Sequence, residues 1–478
     1  MLKLSVAGTG YVGLVAGVCF AEVGHQVTCV DIDENKVELM KRGVSPIYEQ
    51  DLEGLLQKNY AAGRLDFTTD YKAAYREADA IFIGVGTPER RDGSADLTHI
   101  AAAARQIAES IEKDCLVVVK STVPVGTNDK VEQFIHDFLP RSGKKVIGNG
   151  AGSQRQIKVE VASNPEFLAQ GTAVRDTLKA PRIVIGTRSK WAEEMLQKIY
   201  EPFHIPIVSV SRRSAEMIKY ASNDFLALKI SYINDIANLC ELVGADIGDV
   251  ALGMSFDERI GSRFLNAGVG YGGSCFPKDT KALEYLARQN GYQLRTVKAA
   301  IDVNNDQKVV LYKKACRRLI SFSSLKVAVL GLTFKPGTDD FREAPSLENI
   351  PLLLAQGAEV YAYDPVGAEN FKRKFPEGNF DRGSIHYTSN AAGALKDASI
   401  CFIFTEWKEI KAIKPREYKK LMKTPLVFDG RSIYGANDMR KAGVEYYSIG
   451  RGDPVPDDPA IHIISKDGAI KNGKQRIG

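Results

Sequence analysis

Leu2-Lys-Leu-Ser-Val-Ala-Gly8-Thr-Gly10-Tyr-Val-Gly13 opens the chain, and Leu325-Lys-Val-Ala-Val-Leu-Gly331-Leu-Thr-Phe-Lys335 opens its last third in nearly the same way. Each is a short apolar strand that ends in glycine. After the first, helical periodicity runs through Val12, Val15, Val18, Phe20 and Val23, and a second strand, Gln26-Val-Thr-Cys-Val-Asp31, follows. Further strands are expected over residues 80–85, 116–120 and 182–186, and in the second series over 359–364, 400–405 and 426–429. Strands that alternate with helices form a parallel, doubly wound sheet. The fold class is therefore α/β, with two Rossmann-like domains.

Between the two series, from Ser211 to about Gly244, one helical pattern contains no internal proline or glycine. Ile218, Phe225, Tyr232, Ile236 and Leu239 are expected along its apolar side. At 1.5 Å per residue it extends about 50 Å, enough for a long central helix joining two domains. The expected division is 1–210 and 311–453 for the Rossmann-like domains, 211–310 for a central helical segment, and 454–478 for a loosely ordered tail ending in Lys471-Asn-Gly-Lys-Gln-Arg476.

A chain of 478 residues exceeds one ordinary core. Its 44% apolar and 26% charged residues are those of a soluble globular protein. The net charge of +5 is small and interspersed, which argues against a nucleic-acid surface and suits a phosphorylated, anionic small ligand. The seven cysteines are widely spaced with no CxxC pair, against both a disulfide framework and a structural zinc site; no metal is expected. A reducing cytoplasm fits this usage. The strand at Leu2 leaves no room for a signal peptide, and no apolar run approaches the ~20 residues of a membrane span.

Gly8, Gly10 and Gly13 form GxGxxG directly between strand and helix. Gly8 permits the tight turn, Gly10 lets a pyrophosphate approach the backbone, and Gly13 packs helix against strand. Asp31, at the end of the second strand, can accept hydrogen bonds from a ribose 2′-hydroxyl and would repel a 2′-phosphate. NAD is thus favoured over NADP, with FAD as the remaining competitor. The matching turn in the second half lacks the later glycines and carries Phe334 and Lys335, better suited to clamping a different phosphorylated ligand. The bland alternative there is a degenerate repeat that only packs.

Gly268-Val-Gly-Tyr-Gly-Gly-Ser-Cys275-Phe-Pro-Lys-Asp279 sets a thiol behind four glycines in six residues. The glycines let backbone come close to a ligand. A nearby lysine favours the thiolate and a carboxylate can move protons, as covalent thiol chemistry requires. A lone cysteine is more often a small buried hydrophobe, so the assignment leans on the rest of the chain. On the long helix, Lys219 and Asn223 are one turn apart and share a face, where both can donate to an oxyanion. Ser163-Asn-Pro-Glu166-Phe-Leu-Ala-Gln170 adds a carboxylate on a turn.

Taken together the chain resembles the UDP-glucose/GDP-mannose dehydrogenase family. The resemblance spans all but the tail. It rests on Gly8-x-Gly10-x-x-Gly13, Gly86-Thr87-Pro88, Lys120-Ser-Thr122-Val-Pro-Val, Asn164-Pro-Glu166-Phe-Leu, Lys219-x-x-x-Asn223, Phe264-Leu-Asn-Ala-Gly268 with the cysteine loop, Gly331-Leu-Thr-Phe-Lys335 and Asp429-Gly-Arg431. The resemblance implies oxidation of UDP-glucose to UDP-glucuronate with two NAD⁺ and one water, through a thiohemiacetal and a thioester on Cys275. It assigns oxyanion stabilisation to Lys219 and Asn223, water orientation or proton relay to Asp279 with Thr122, and the hydrolytic base to Glu166. Gln170 stands where the family often has a second glutamate.

The same resemblance sets Val30, Asp31, Lys36, Thr87, Thr122, Glu166, Lys278 and Arg342 around NAD, beside the three glycines. It sets Glu166, Phe167, Leu168, Lys219, Asn223, Phe264, Leu265, Asn266, Ala267, Gly268, Gly272, Lys335 and Arg431 around UDP-glucose. Arg259 matches an arginine that reaches the sugar across a homodimer interface. Rival readings are a UDP-N-acetylhexosamine dehydrogenase, which typically has histidine before the cysteine where this chain has Ser274, a single-step NAD-dependent dehydrogenase, and a nucleotide-sugar sensor without turnover.

Overall fold

The computed structural model describes residues 1–139 and 157–452, together with two strands at 462–464 and 470–472. The chain divides into two compact units, Met1–Ser222 with Lys281–Tyr292, and Asn223–Thr280 with Gln293–Gly478.

The first unit holds an eight-stranded sheet of β1 (Lys3–Ala7), β2 (Gln26–Val30), β3 (Leu65–Thr68), β4 (Ala80–Ile83), β5 (Cys115–Val119), β6 (Val159–Ser163), β7 (Ile183–Gly186) and β8 (Ile207–Val210). Their order is β3-β2-β1-β4-β5-β6-β7-β8. β1 to β6 pair in parallel, as the alternation with helices predicts, but β6 meets β7 antiparallel at Ser163 and Gly186. Central strands buried on both faces read as continuous apolar runs. Leu4, Val6, Cys29, Phe82 and Val118 enter one core, with Phe82 packed 4.7 Å from Phe20. Ile81, Ile83, Val117 and Val119 enter the core on the other face.

The second unit repeats the plan with β9 (Lys326–Leu330), β10 (Glu359–Tyr363), β11 (Gly378–Asn379), β12 (Ser384–Tyr387), β13 (Ile400–Ile403), β14 (Leu426–Asp429) and β15 (Glu445–Ser448). The order is β11-β12-β10-β9-β13-β14-β15, parallel except for β11 against β12. In both sheets the chain crosses from one side to the other beside the first strand, between β1 and β4 and between β9 and β13. Ligands of open α/β sheets bind at that switch point, beyond the carboxyl ends of the strands. Of the expected tail, β16 (His462–Ile464) and β17 (Ile470–Asn472) pair antiparallel. The rest lies outside the described residues.

The long helix spans Arg212–Val243, 32 residues or about 48 Å, and the unit boundary falls inside it. Arg212 anchors its start, buried, donating to the carbonyl of Val161 and pairing with Asp129 and Glu132. One expectation is overturned here. Phe225, Tyr232 and Leu239 are 60%, 52% and 52% exposed, so they do not face this chain's core. The buried positions include Tyr220, Asn223, Asp224, Ala227, Ser231 and Asn234, with Ala215, Ile233, Ala237 and Cys240 as apolar members. Their i, i+3, i+4 spacing is that of a packed helix face, yet Asn223, Asp224, Ser231 and Asn234 bring amide, carboxyl and hydroxyl groups into it. Apolar periodicity finds a stripe; it does not say which stripe the fold covers. Among the described residues no helix is long and apolar enough to cross a membrane.

Candidate active site

In the first unit the glycine turn has the geometry its sequence predicts. Gly8 sits at φ +92°, and a Cβ on Gly13 would lie 1.9 Å from the Gly8 carbonyl oxygen, so both positions require glycine. A Cβ on Gly10 would meet nothing within 4 Å, leaving open space over the start of helix Tyr11–Glu22. Gly8 N–H donates to the Val30 carbonyl, which ties the turn to the end of β2. Asp31 accepts from Thr9 N–H at 2.9 Å and from Asp33 N–H at 3.0 Å. Burial works to raise its carboxyl, but the hydrogen bonds from Thr9 and Asp33 and the charge of Lys36 outweigh it and hold the group below the usual carboxylate range. A half-buried, ionised carboxylate beside an open turn fits the ribose of NAD and opposes a 2′-phosphate. Thr87 donates to the Thr122 carbonyl at 2.8 Å, which joins the loops after β4 and β5 at the switch point.

A second cluster in this unit surrounds Glu166. One oxygen pairs with Lys219 Nζ at 2.9 Å and the other accepts from Leu168 N–H at 2.8 Å; Lys219 and Glu166 are 3% and 7% exposed. Phe167 packs its ring under Arg182 at 4.3 Å and Lys219 at 5.5 Å. Beyond them Lys120 donates to Asn164 Oδ1 at 3.0 Å. Burial, opposed by Glu166 and aided by the charge of Lys219, pushes the Lys120 ammonium down to about 8. Glu49 holds the segment after Gln170 by accepting from Gly171 and Ala173 N–H.

In the second unit, Cys275 is exposed and immediately precedes helix Phe276–Gln289, where Asp279 N–H donates to its carbonyl. The position suits a reactive thiol, because a helix N-terminus favours a thiolate. Five other cysteines, Cys19, Cys29, Cys115, Cys240 and Cys401, are buried; burial raises the first three to about 12. Cys316 is exposed without a comparable setting. In the first turn after Cys275, Asp279 accepts from Asn223 Nδ2 at 2.6 Å through one oxygen and pairs with Lys278 at 2.5 Å through the other. That leaves one Asn223 N–H available to an oxyanion.

The loop before the thiol is held by amides that sequence reading did not single out. Gly268 N–H donates to Asn234 Oδ1, Gln307 donates to the Gly268 carbonyl, and Asn304 binds both the N–H and the carbonyl of Tyr271. A Cβ on Gly272 would approach the Glu343 carbonyl to 2.5 Å, and one on Gly273, at φ +80°, would approach the Phe334 ring to 2.7 Å. Phe334 of the second turn therefore packs against the cysteine loop. Phe264 stands at φ +65°, an uncommon conformation for a bulky residue, with its ring 6.3 Å from Phe276.

Arg431, on the turn after β14, donates to the Phe404 and Phe334 carbonyls and lies beside Gly268. Leu265 is buried, whereas Asn266 is exposed. Arg342 lies in this second unit, its fork on Asp340, while the other residues expected around NAD, Lys278 apart, belong to the first unit. Arg259 is bidentate to Asp257 and its side chain is 89% exposed.

Asp364 follows β10 as Asp31 follows β2, a correspondence the repeat itself could have revealed. It accepts from Leu332 and Thr333 N–H and from the Trp407 indole, and is buried. A carboxylate saturated by its own protein cannot serve a ribose diol. The second turn is thereby closed to the dinucleotide mode of the first.

A Rossmann half built for NAD, in a chain that also carries an exposed thiol at the start of a helix, defines a nicotinamide-dependent dehydrogenase. The chain belongs to the UDP-glucose/GDP-mannose dehydrogenase family: the family's NAD binding domain matches residues 2–204, its central domain 213–306 and its UDP binding domain 328–436. It is 48% identical to UDP-glucose 6-dehydrogenase YwqF of Bacillus subtilis (strain 168), over 95% of this chain and 99% of that one. It is 45% identical to a UDP-glucose 6-dehydrogenase of Rhizobium meliloti (strain 1021), over 95% and 100%. Among solved structures, a UDP-glucose dehydrogenase from Pyrobaculum islandicum superposes with a TM-score of 0.84 at 36% identity, covering 94% of this chain and 97% of that one.

Proposed function

We propose that this enzyme oxidises UDP-glucose to UDP-glucuronate with two NAD⁺ and one water, through Cys275. The observation that carries the reading is the exposed Cys275 at a helix N-terminus, one turn from the Asp279–Asn223 pair. Bound NAD supplies the hydride acceptor for each of two oxidations. The glycine turn and Asp31 hold it, with Val30, Lys36, Thr87, Thr122, Lys278 and Arg342 proposed around it. The protein's own residues do the rest. The C6 hydroxyl loses its proton to a water held by Asp279 as the aldehyde forms. The Cys275 thiolate then adds to the aldehyde carbon, giving a thiohemiacetal whose oxyanion is met by Asn223 N–H and Lys219. Loss of the second hydride leaves a thioester. Water, deprotonated by Glu166, adds to its carbonyl; the C–S bond breaks, freeing the acid and the thiolate. Gln170 cannot take up a proton, so this step rests on Glu166 and Asp279.

Phe264 to Gly268, Gly272, Lys335 and Arg431 are proposed to hold the UDP-sugar, with Phe167 and Leu168 from the first unit. The 1–210, 211–310 and 311–453 division then assigns cofactor binding, catalysis and UDP binding to successive segments. A homodimer in which Arg259 serves the partner's site is supported by the exposed row Phe225, Tyr232 and Leu239, at a spacing of seven, and by Phe256, 67% exposed. The seven free thiols suit a cytoplasmic enzyme.

Cys275→Ser incubated with UDP-glucose and NAD⁺ tests the reading. Sustained formation of the acid should be lost; release of two NADH per sugar at the wild-type rate would rule the covalent route out. Assays of UDP-N-acetylhexosamines beside UDP-glucose should favour UDP-glucose, in line with Ser274 before the thiol.

A further inference from the structure

Asp224 follows Asn223 on the long helix and is 3% exposed, and neither of its carboxylate oxygens has a hydrogen-bond partner among the described residues. Such a placement is costly for an ionised group and is rare unless the site uses it. The charged and titratable groups that face it come from two elements. Asp279 and Lys278 approach from the first turn of helix Phe276–Gln289, and Tyr271 from the glycine loop. Asn223 adjoins it on its own helix. The Tyr271 hydroxyl is raised to about 12, by burial first, and stays neutral. Lys278 and Asp279 compensate each other. An ionised Asp224 would therefore add an uncompensated negative charge beside the amide that stabilises an oxyanion.

We propose that Asp224 is a positioning residue that holds a proton in the working enzyme and so keeps the Lys278–Asp279–Asn223 cluster electrically neutral. The inference rests on the oxyanion role of Asn223 given above. Burial and the neighbouring Asp279 push the Asp224 carboxyl up to about 8. Its ionisation thus falls within the range of an ordinary rate profile. Above that range the added charge opposes the developing oxyanion at Asn223, and kcat declines. The stability sign agrees. Between the ordinary aspartate value and about 8 the unfolded chain is ionised while the folded one keeps its proton, so stability falls as pH rises through that window.

The test compares wild type with Asp224→Asn, whose side chain stays neutral, in kcat at saturating UDP-glucose and NAD⁺ and in Tm, from slightly acidic to clearly alkaline pH. The ratio of variant to wild-type kcat should be flat below neutrality and rise about threefold or more with a midpoint near 8, while KM changes little. The Tm difference should move in favour of the variant as pH rises towards the same midpoint. A flat kcat ratio overturns the proposal, whether or not the Tm difference responds. If the asparagine variant does not fold, infrared titration of wild type decides. A protonated-carboxyl band lost near pH 8 and absent from Asp224→Leu supports the assignment, and its absence from wild type overturns it. Neither Tm nor the band depends on chemistry at Cys275, so a failure of the covalent route would be seen separately in Cys275→Ser.

Discussion

Asn223 Nδ2 lies 2.6 Å from Asp279 Oδ2, a bond between residues 56 positions apart that aims the helix amide from the first turn after Cys275. Asp279→Asn replaces a double acceptor with a group that cannot satisfy both Asn223 and Lys278 as acceptor. The expected result is a fall in kcat of about 10²–10³ with KM for UDP-glucose nearly unchanged, as for loss of a preorganised oxyanion donor. Steady-state kinetics check it. A rise in KM at constant kcat would instead assign the pair to binding.

Asp31 fixes the turn through Thr9 and stays charged below the usual carboxylate range, and it is proposed to face the ribose. Asp31→Asn should raise KM for NAD⁺ by about tenfold or more, since a charge-assisted hydrogen bond is weakened. It should raise the NADP⁺-to-NAD⁺ ratio of kcat/KM, because repulsion of the 2′-phosphate is removed. An unchanged ratio would show that Asp31 acts on the turn alone.

Arg259 is exposed and bound to Asp257 within its own chain. If it serves a partner, Cys275→Ser and Arg259→Ala subunits, each inactive or impaired alone, should regain activity when mixed and re-assembled. The mixed dimer has one site with both residues intact, so recovery tends towards half of wild type per dimer. Sedimentation of the native enzyme should give the dimer mass; a monomer would dismiss the arrangement.

His25 is buried, accepts from Leu2 N–H and bonds the Ile199 carbonyl through its other nitrogen. Burial, partly offset by the Ile199 bond, lowers its pKa below the ordinary ~6.5. Below that ordinary value the unfolded chain takes up a proton that the folded one resists. Stability should therefore be full above pH ~6.5 and fall as pH drops towards the lowered folded value. Thermal melts of wild type and His25→Gln over this range check it: the variant's Tm should respond less to acid.

Phe82 fills the core between β1 and β5 and packs on Phe20. Phe82→Ala should cost about 3–5 kcal/mol, from lost burial and the cavity left behind. Denaturant unfolding of the first unit's transition measures it.

Much of the fold was legible because parallel strands buried on both faces are plain apolar runs, as in Lys3–Ala7, Cys115–Val119 and Lys326–Leu330. Leu65–Thr68 and Ile207–Val210 escaped because partly exposed short strands carry no such run. The antiparallel step from β6 to β7 left no mark either, since strand direction is not a property of local composition. Glu166, Lys219, Asn223, Cys275 and Asp279 stood out by motif, whereas Asn234, Asn304 and Gln307 did not. Those amides act through loop backbone distant in sequence, and nothing in their own surroundings distinguishes them from surface polar residues.

The sequence by itself determined the two Rossmann-like halves, the glycine turn with Asp31, and the thiol that precedes a helix, because each is a local pattern of size, charge and conformational freedom. Tertiary structure decided which face of Arg212–Val243 is covered, leaving Phe225, Tyr232 and Leu239 outside and Asn223 and Asp224 within. It also decided that Asp364 is spent on its own turn and Trp407 while Asp31 remains half-exposed. The physical reason is common to both cases. Desolvation and hydrogen-bond satisfaction depend on which distant groups arrive beside a residue, and that is settled by packing.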